Sequence, residues 1–206
     1  MMKVKFDTFG SMANNAFLIV DESTNCSALI DCPEYSDKMV KLIGDTELKY
    51  IILTHGHFDH ILGVKEVCDK YGCKVYISKE DAPMLQSGKL SLGAFCGFSQ
   101  NSVSDYETVS DGDEIVLGAL KIKALATPGH TKGGMCYICG DYLFTGDTLF
   151  CESYGRVDFP GGDLGELTAS VKKLKELDGD FKVMTGHEEL STLEHERRYN
   201  PMMRAL

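Results

Sequence analysis

Half of the six histidines fall within one seven-residue stretch, THGHFDH (residues 54 to 60), directly after the apolar run YIIL (50 to 53). Imidazole nitrogens and a carboxylate converging on one turn suit cations of borderline softness. His55 and His57, then Asp59 and His60, make two candidate ligand sets within that turn.

Later positions extend both sets. His130 follows Thr127 to Gly129, Asp147 follows Thr145 and Gly146, and His187 follows Thr185 and Gly186, each beyond a β-type run. Loops beyond strand ends are where a rigid frame presents reactive groups. One such histidine would carry little weight, because isolated histidines are commonly satisfied by local hydrogen bonds. Five histidines and two aspartates in equivalent settings point to a metal centre. His195, in EHERR (194 to 198), lacks that setting and is expected on the solvated face of a charged helix.

The elements that must position these residues alternate between strand and helix. Val4 to Phe6, Ala16 to Val20 and Cys26 to Asp31 read as an antiparallel meander. A helix is expected to start at Pro33 and stop at Gly44, and a second to cover Ile61 to Tyr71. Lys49 to Leu53 is apolar at consecutive positions, as in a strand covered on both faces, and Lys74 to Ile77 is another strand. Residues 86 to 106, with weak periodicity and several Gly and Ser, read as a long loop able to cover a site.

The second half repeats this order. Glu114 to Leu117, Lys121 to Leu125, Cys136 to Ile138 and Tyr142 to Phe144 are strands. Asp163 to Glu166 resembles a capping box ahead of a helix that Gly179 ends, and Phe181 to Met184 is a last strand before a short helix capped by Ser191 to Glu194. The expected architecture is a single domain over residues 1–206, with two sheets face to face and helices outside.

With 21 basic against 31 acidic residues the formal charge is −10, which disfavours a phosphate-backbone partner such as nucleic acid. The N-terminus MMKVKFDTFG lacks the apolar core of a signal peptide, and no run reaches the roughly 18 apolar residues of a membrane span. A cytoplasmic protein with no membrane partner is expected. Its eight cysteines should then be buried, reduced thiols. CYIC (136 to 139) lies on a strand, so its two cysteines should face opposite ways and do no joint chemistry. No G-x-S-x-G elbow supports serine catalysis.

THGHFDH, TPGHT, TGDT and TGH, in that order along nearly the whole chain, resemble the metallo-β-lactamase-fold hydrolase superfamily. The resemblance implies an α/β fold, an αββα four-layer sandwich of two mixed sheets with the site at one edge. It also implies that His55, His57 and His130 hold one metal, that Asp59, His60 and His187 hold a second, and that Asp147 bridges both. Two divalent ions are implied, zinc first, with iron or manganese also suited to such ligands.

Asp147 departs from zinc β-lactamases, which place cysteine there, and His57 departs from flavodiiron proteins, which place glutamate. The segment GRVDFPGG (155 to 162) is similar to short glyoxalase II-like proteins. Longer glyoxalase II enzymes carry a lysine and a tyrosine for glutathione in the equivalent segment and add a C-terminal helical domain, which this chain has no room for. The activity implied is hydrolysis of an acyl-glutathione-type thioester by a metal-bridging hydroxide that Asp59 orients. A mononuclear-iron persulfide dioxygenase, which shares a related G-R-x-D segment, and a lactone hydrolase are the alternatives. Arg156 could bind a substrate carboxylate, with Asp158 beside it, or the two could form a structural pair that shapes the loop.

Overall fold

The computed structural model describes residues 1–206. The chain opens with β1 (Met2–Phe9), β2 (Asn14–Asp21) and β3 (Cys26–Ile30), an antiparallel meander as expected. Then α1 (Asp37–Ile43) and β4 (Glu47–Ile52) lead to α2 (Phe58–Ile61), α3 (Val64–Tyr71), β5 (Lys74–Ser78) and β6 (Glu107–Val109). The first sheet runs in the order β1 to β6, with its last three pairings parallel.

The second half contains β7 (Glu114–Leu117), β8 (Leu120–Ala126), β9 (Met135–Cys139), β10 (Tyr142–Gly146), a small hairpin of β11 (Leu149–Phe150) and β12 (Ser153–Tyr154), and α4 (Leu164–Lys175). It closes with β13 (Lys182–Thr185), β14 (Ser191–Thr192), α5 (Leu193–Tyr199) and α6 (Pro201–Ala205). These strands build a second mixed sheet in the order β14-β13-β10-β9-β8-β7, in which only β10 and β13 are parallel.

Three apolar layers follow from the two-residue period of the strands. Phe17, Ile19, Ile30 and Ile52 point inward and meet Ile122, Tyr137 and Phe144 of the second sheet. Leu18, Leu29 and Ile51 point outward onto Met39, Val64 and Val67 of α1 and α3. On the opposite side Leu143 and Val183 pack on Leu167, Val171 and Leu174 of α4. Two mixed sheets between outer helices are thus the observed layers. Phe17 and Phe144 meet edge to face at 5.5 Å across the central layer, where truncation of such a ring costs about 3–5 kcal/mol.

Several local expectations change. Helix α1 begins after Ser36, whose hydroxyl accepts from the Met39 amide, so Pro33 lies in irregular chain ahead of it. The helix expected over Ile61 to Tyr71 is split at Gly63, because Glu34 and Tyr35 cross there: a Cβ on Gly63 would lie 2.3 Å from the Glu34 carbonyl carbon. Thr192 rather than Ser191 caps α5, accepting from the His195 amide. Residues 86 to 106 are irregular apart from Gln86, which ends a 3-10 turn at Ala82–Gln86, and a second short 3-10 turn at Gly93–Cys96, and the three-residue β6 after them was too short to stand out in the sequence.

All eight cysteines are free thiols, but only Cys32, Cys136 and Cys139 are fully buried. Cys136 faces α4 and Cys139 faces the central layer, the opposed placement that a strand dictates. No helix is long and apolar enough to cross a membrane.

Candidate metal centre

The loops that follow β4, β8, β10 and β13 meet at one edge of the sandwich and bring the seven residues together. Ligand-type atoms of His55, His57 and His130 form one group within 4.8 Å of one another. Those of Asp59, His60 and His187 form a second within the same limit, and His55, His60 and Asp147 form a third. Asp147 lies between the groups: its Oδ1 is 3.4 Å from His60 Nε2, and its Oδ2 is 3.5 Å from His130 Nε2 and 3.6 Å from His187 Nε2. Gly186 leaves that carboxylate its space, since a Cβ there would stand 2.4 Å from Asp147 Oδ1.

Hydrogen bonds on the far ring nitrogens aim the near ones. His60 Nδ1 pairs with Asp31 Oδ2 at 2.9 Å, His130 Nδ1 with the Arg156 carbonyl at 2.7 Å and His187 Nδ1 with the Met12 carbonyl at 3.0 Å. Each pairing directs Nε2 toward the centre, the arrangement that orients metal-ligating imidazoles. Four buried side-chain polar atoms have no partner, and three of them are His55 Nε2, His60 Nε2 and Asp147 Oδ1; the fourth is Glu66 Oε2. Buried polar atoms are normally satisfied, so three orphans facing one another fit a divalent metal site.

The electrostatics match. Burial pushes the His55 imidazolium well below the usual range, and burial with His130 nearby takes His57 to about 3. Burial acts the same way on His60, but Asp147, Asp31 and Asp59 outweigh it and hold His60 well above the ordinary value. Burial would raise Asp147, yet the surrounding histidines, His60 first, hold it at about 2. Asp59 is likewise lowered against its burial, by His60, His187 and an Asn14 Nδ2 donor at 3.1 Å.

Three supporting residues escaped the sequence reading. Asp31, in the left-handed region at φ +58°, accepts from the Thr54 amide and hydroxyl at 2.8 Å as well as pairing with His60. Asp81 ties two site loops together, accepting from the Gly56 amide at 3.1 Å, the Thr131 hydroxyl at 2.7 Å and the Gly133 amide at 2.9 Å. Asn14 reaches Asp59 from the start of β2. The strand-end rule that found Asp147 applies equally to Asp31, which ends the run Cys26 to Ile30.

A cleft of about 760 Å³ opens on the centre, with Leu92, Phe95, Tyr154 and Phe159 among its walls. The long loop thus covers the site as expected. Arg156 also lines the cleft, and its Nε and Nη2 donate to the two Asp158 oxygens at 2.6 Å each while the guanidinium lies 3.9 Å over the Phe159 ring. Arg156 holds the exposed Asp158 carboxyl at about 2. His195 takes no part: it is half-buried on α5 and pairs with Glu152 at 3.0 Å.

The fold and this edge-of-sandwich cluster define a metallohydrolase class. The family description "Metallo-beta-lactamase superfamily" matches residues 10–187, and the chain belongs to that superfamily, whose members are mostly metal-dependent hydrolases. The hydroxyacylglutathione hydrolase GloC of Haemophilus influenzae is 30% identical over 213 residues, covering 98% of each chain. Among solved structures, the protein TTHA1623 in a di-iron-bound form aligns with a TM-score of 0.84 at 31% identity, over 96% of this chain and 98% of that one. The BLEG-1 B3 metallo-beta-lactamase aligns with a TM-score of 0.91 at 26% identity, over 98% and 99%.

Proposed function

We propose that the protein is a dinuclear metal-dependent thioesterase of the glyoxalase II-like kind, acting on acyl esters of a low-molecular-weight thiol, with acyl-glutathione as the type. The observation that carries this reading is the placement of Asp147 between two three-residue groups, with orphaned nitrogens of His55 and His60 on either side. His55, His57 and His130 would hold one divalent ion, Asp59, His60 and His187 the other, and Asp147 would serve both. Zinc is the first choice, and iron or manganese suits the same nitrogen and carboxylate donors. GloC's near full-length similarity supports the thioester, and TTHA1623's di-iron form supports the count of two.

When bound, the ions would supply Lewis acidity, polarising a carbonyl and lowering the pKa of water from 15.7 to about 7. The chain's own part is positional. Asn14 donates to Asp59 Oδ2 and so fixes the carboxylate that would orient the attacking hydroxide. His130 and His187 are fixed by backbone carbonyls, so neither ring needs to reorganise during the reaction.

The test is thiol release from a panel of acyl thioesters by metal-loaded protein. β-Lactams belong beside it because of the BLEG-1 likeness, with homoserine lactones and oxygen uptake on glutathione persulfide as further arms. Turnover confined to one of those rivals, with no thiol released, would replace the thioesterase reading.

A further inference from the structure

Two of the eight thiols face each other: the Sγ atoms of Cys68 and Cys73 lie 3.4 Å apart. They meet because α3 ends on Gly72 in the left-handed region, at φ +66°, where the Gly72 amide donates to the Cys68 carbonyl at 2.8 Å. The chain reverses there, and the residue after the glycine folds back against the last helical turn, commonly in an apolar contact. Here both partners are thiols, and one S–H donates to the other sulfur.

Both side chains are half-buried, packed beside Tyr71 and Tyr106 on the layer that also contains Cys32. Cys32 has no solvent contact, and no third thiol, histidine or carboxylate completes a three-ligand group with the pair. That favours chemistry of two thiols over a metal site. Cys68 and Cys73 also line a cleft of about 450 Å³ that shares no residue with the one over the metal centre, so a small reagent has room beside them. The shared hydrogen bond lowers the Cys73 thiol, because a thiolate there accepts from Cys68, and it raises Cys68, which burial raises further.

We propose that Cys68 and Cys73 form a redox-active dithiol, a modification site at which a low-molecular-weight disulfide, RSSR, is reduced while the pair closes to an intramolecular disulfide. The Cys73 thiolate attacks one sulfur of RSSR, so that a Cys73–SR bond forms as the reagent's S–S bond breaks and RS⁻ leaves. Cys68 then gives up its proton and attacks the Cys73 sulfur, expelling the second RS⁻. Two protein thiols are oxidised, and RSSR takes up their two electrons and two protons as two molecules of RSH. Forming the bond brings the sulfurs from 3.4 Å to about 2.05 Å, a distance that side-chain rotation can cover. The reaction is independent of the chemistry at the metal centre.

The experiment treats the reduced, full-length protein with oxidised glutathione at neutral pH, quenches it with an alkylating reagent and reads the products by mass. Trypsin cuts after Lys65, Lys70 and Lys74, so a closed pair joins the peptide of residues 66–70 to that of residues 71–74. The wild type should yield these linked peptides, lighter by two hydrogens and carrying no glutathione, and excess dithiothreitol should return them to the dithiol. The pair should react roughly tenfold faster than the exposed Cys96, as expected for a thiol with raised thiolate character. Cys68→Ser should stop at the mixed disulfide, with one glutathione retained on Cys73. Absence of linked peptides from the wild type, whether Cys73 keeps a glutathione or stays unmodified while Cys96 reacts, would overturn the proposal, as would closure no faster than the reaction of Cys96.

Discussion

Asp31 Oδ2 lies 2.9 Å from His60 Nδ1, both side chains essentially without solvent contact, and this one pairing sets which nitrogen His60 presents to Asp147. Replacing it with Asp31→Asn keeps the size but weakens the orientation of His60 and the acceptors for Thr54. Loss of such a supporting partner typically costs about 10–100-fold in metal affinity. Competition against a chromophoric chelator should show one weakened ion per chain and one close to its wild-type affinity.

Asp147→Ala removes the only carboxylate within reach of His60, His130 and His187 together. Activity should fall to background and the metal content to one ion per chain or less, with the fold retained by circular dichroism. Full turnover in this variant would exclude every two-metal version of the mechanism.

Acid should empty the centre unevenly. Histidines ligate as neutral imidazoles, so binding must displace any proton already held. Without metal, His55 and His57 are lowered and carry none at neutral pH, whereas His60 and His187 are raised by Asp147, Asp59 and, for His60, Asp31. Affinity at the Asp59, His60 and His187 group should thus fall as pH falls, by about tenfold per unit for each proton displaced, while the His55, His57 and His130 group changes less. Metal titrations at three buffer pH values around neutrality, with proton release followed by calorimetry, measure this. Equal slopes for the two ions would contradict it.

The seven-residue cluster and the layered fold were legible because both rest on local signals: ligand types after apolar runs, and strand alternation. What escaped depends on contacts distant in sequence. The break at Gly63 arises from the crossing of Glu34 and Tyr35, and the value of Asp31, Asp81 and Asn14 appears only once loops from both sheets meet. Arg156 and Asp158, two residues apart, fitted either a ligand or a structural role, and their pairing at 2.6 Å is seen only in the folded loop. His195 was separable early by its charged helix, and His195→Ala should leave metal content unchanged when assayed beside His187→Ala.

Phe95 is 71% exposed yet lines the cleft. Phe95→Ala should shift stability by no more than about 0.5 kcal/mol, as for a surface site. Its ring contributes apolar contact to ground state and transition state alike, so KM for apolar acyl thioesters should rise with kcat little changed. A fall in kcat alone would mean that the loop residue acts on the chemistry.

The dinuclear centre is tested most directly by elemental analysis, normalised to protein concentration, of protein purified without chelator or added metal. Two divalent ions per chain, zinc foremost, is the result expected. One ion per chain in fully active protein would contradict it, and a single iron would move the chemistry toward persulfide oxidation.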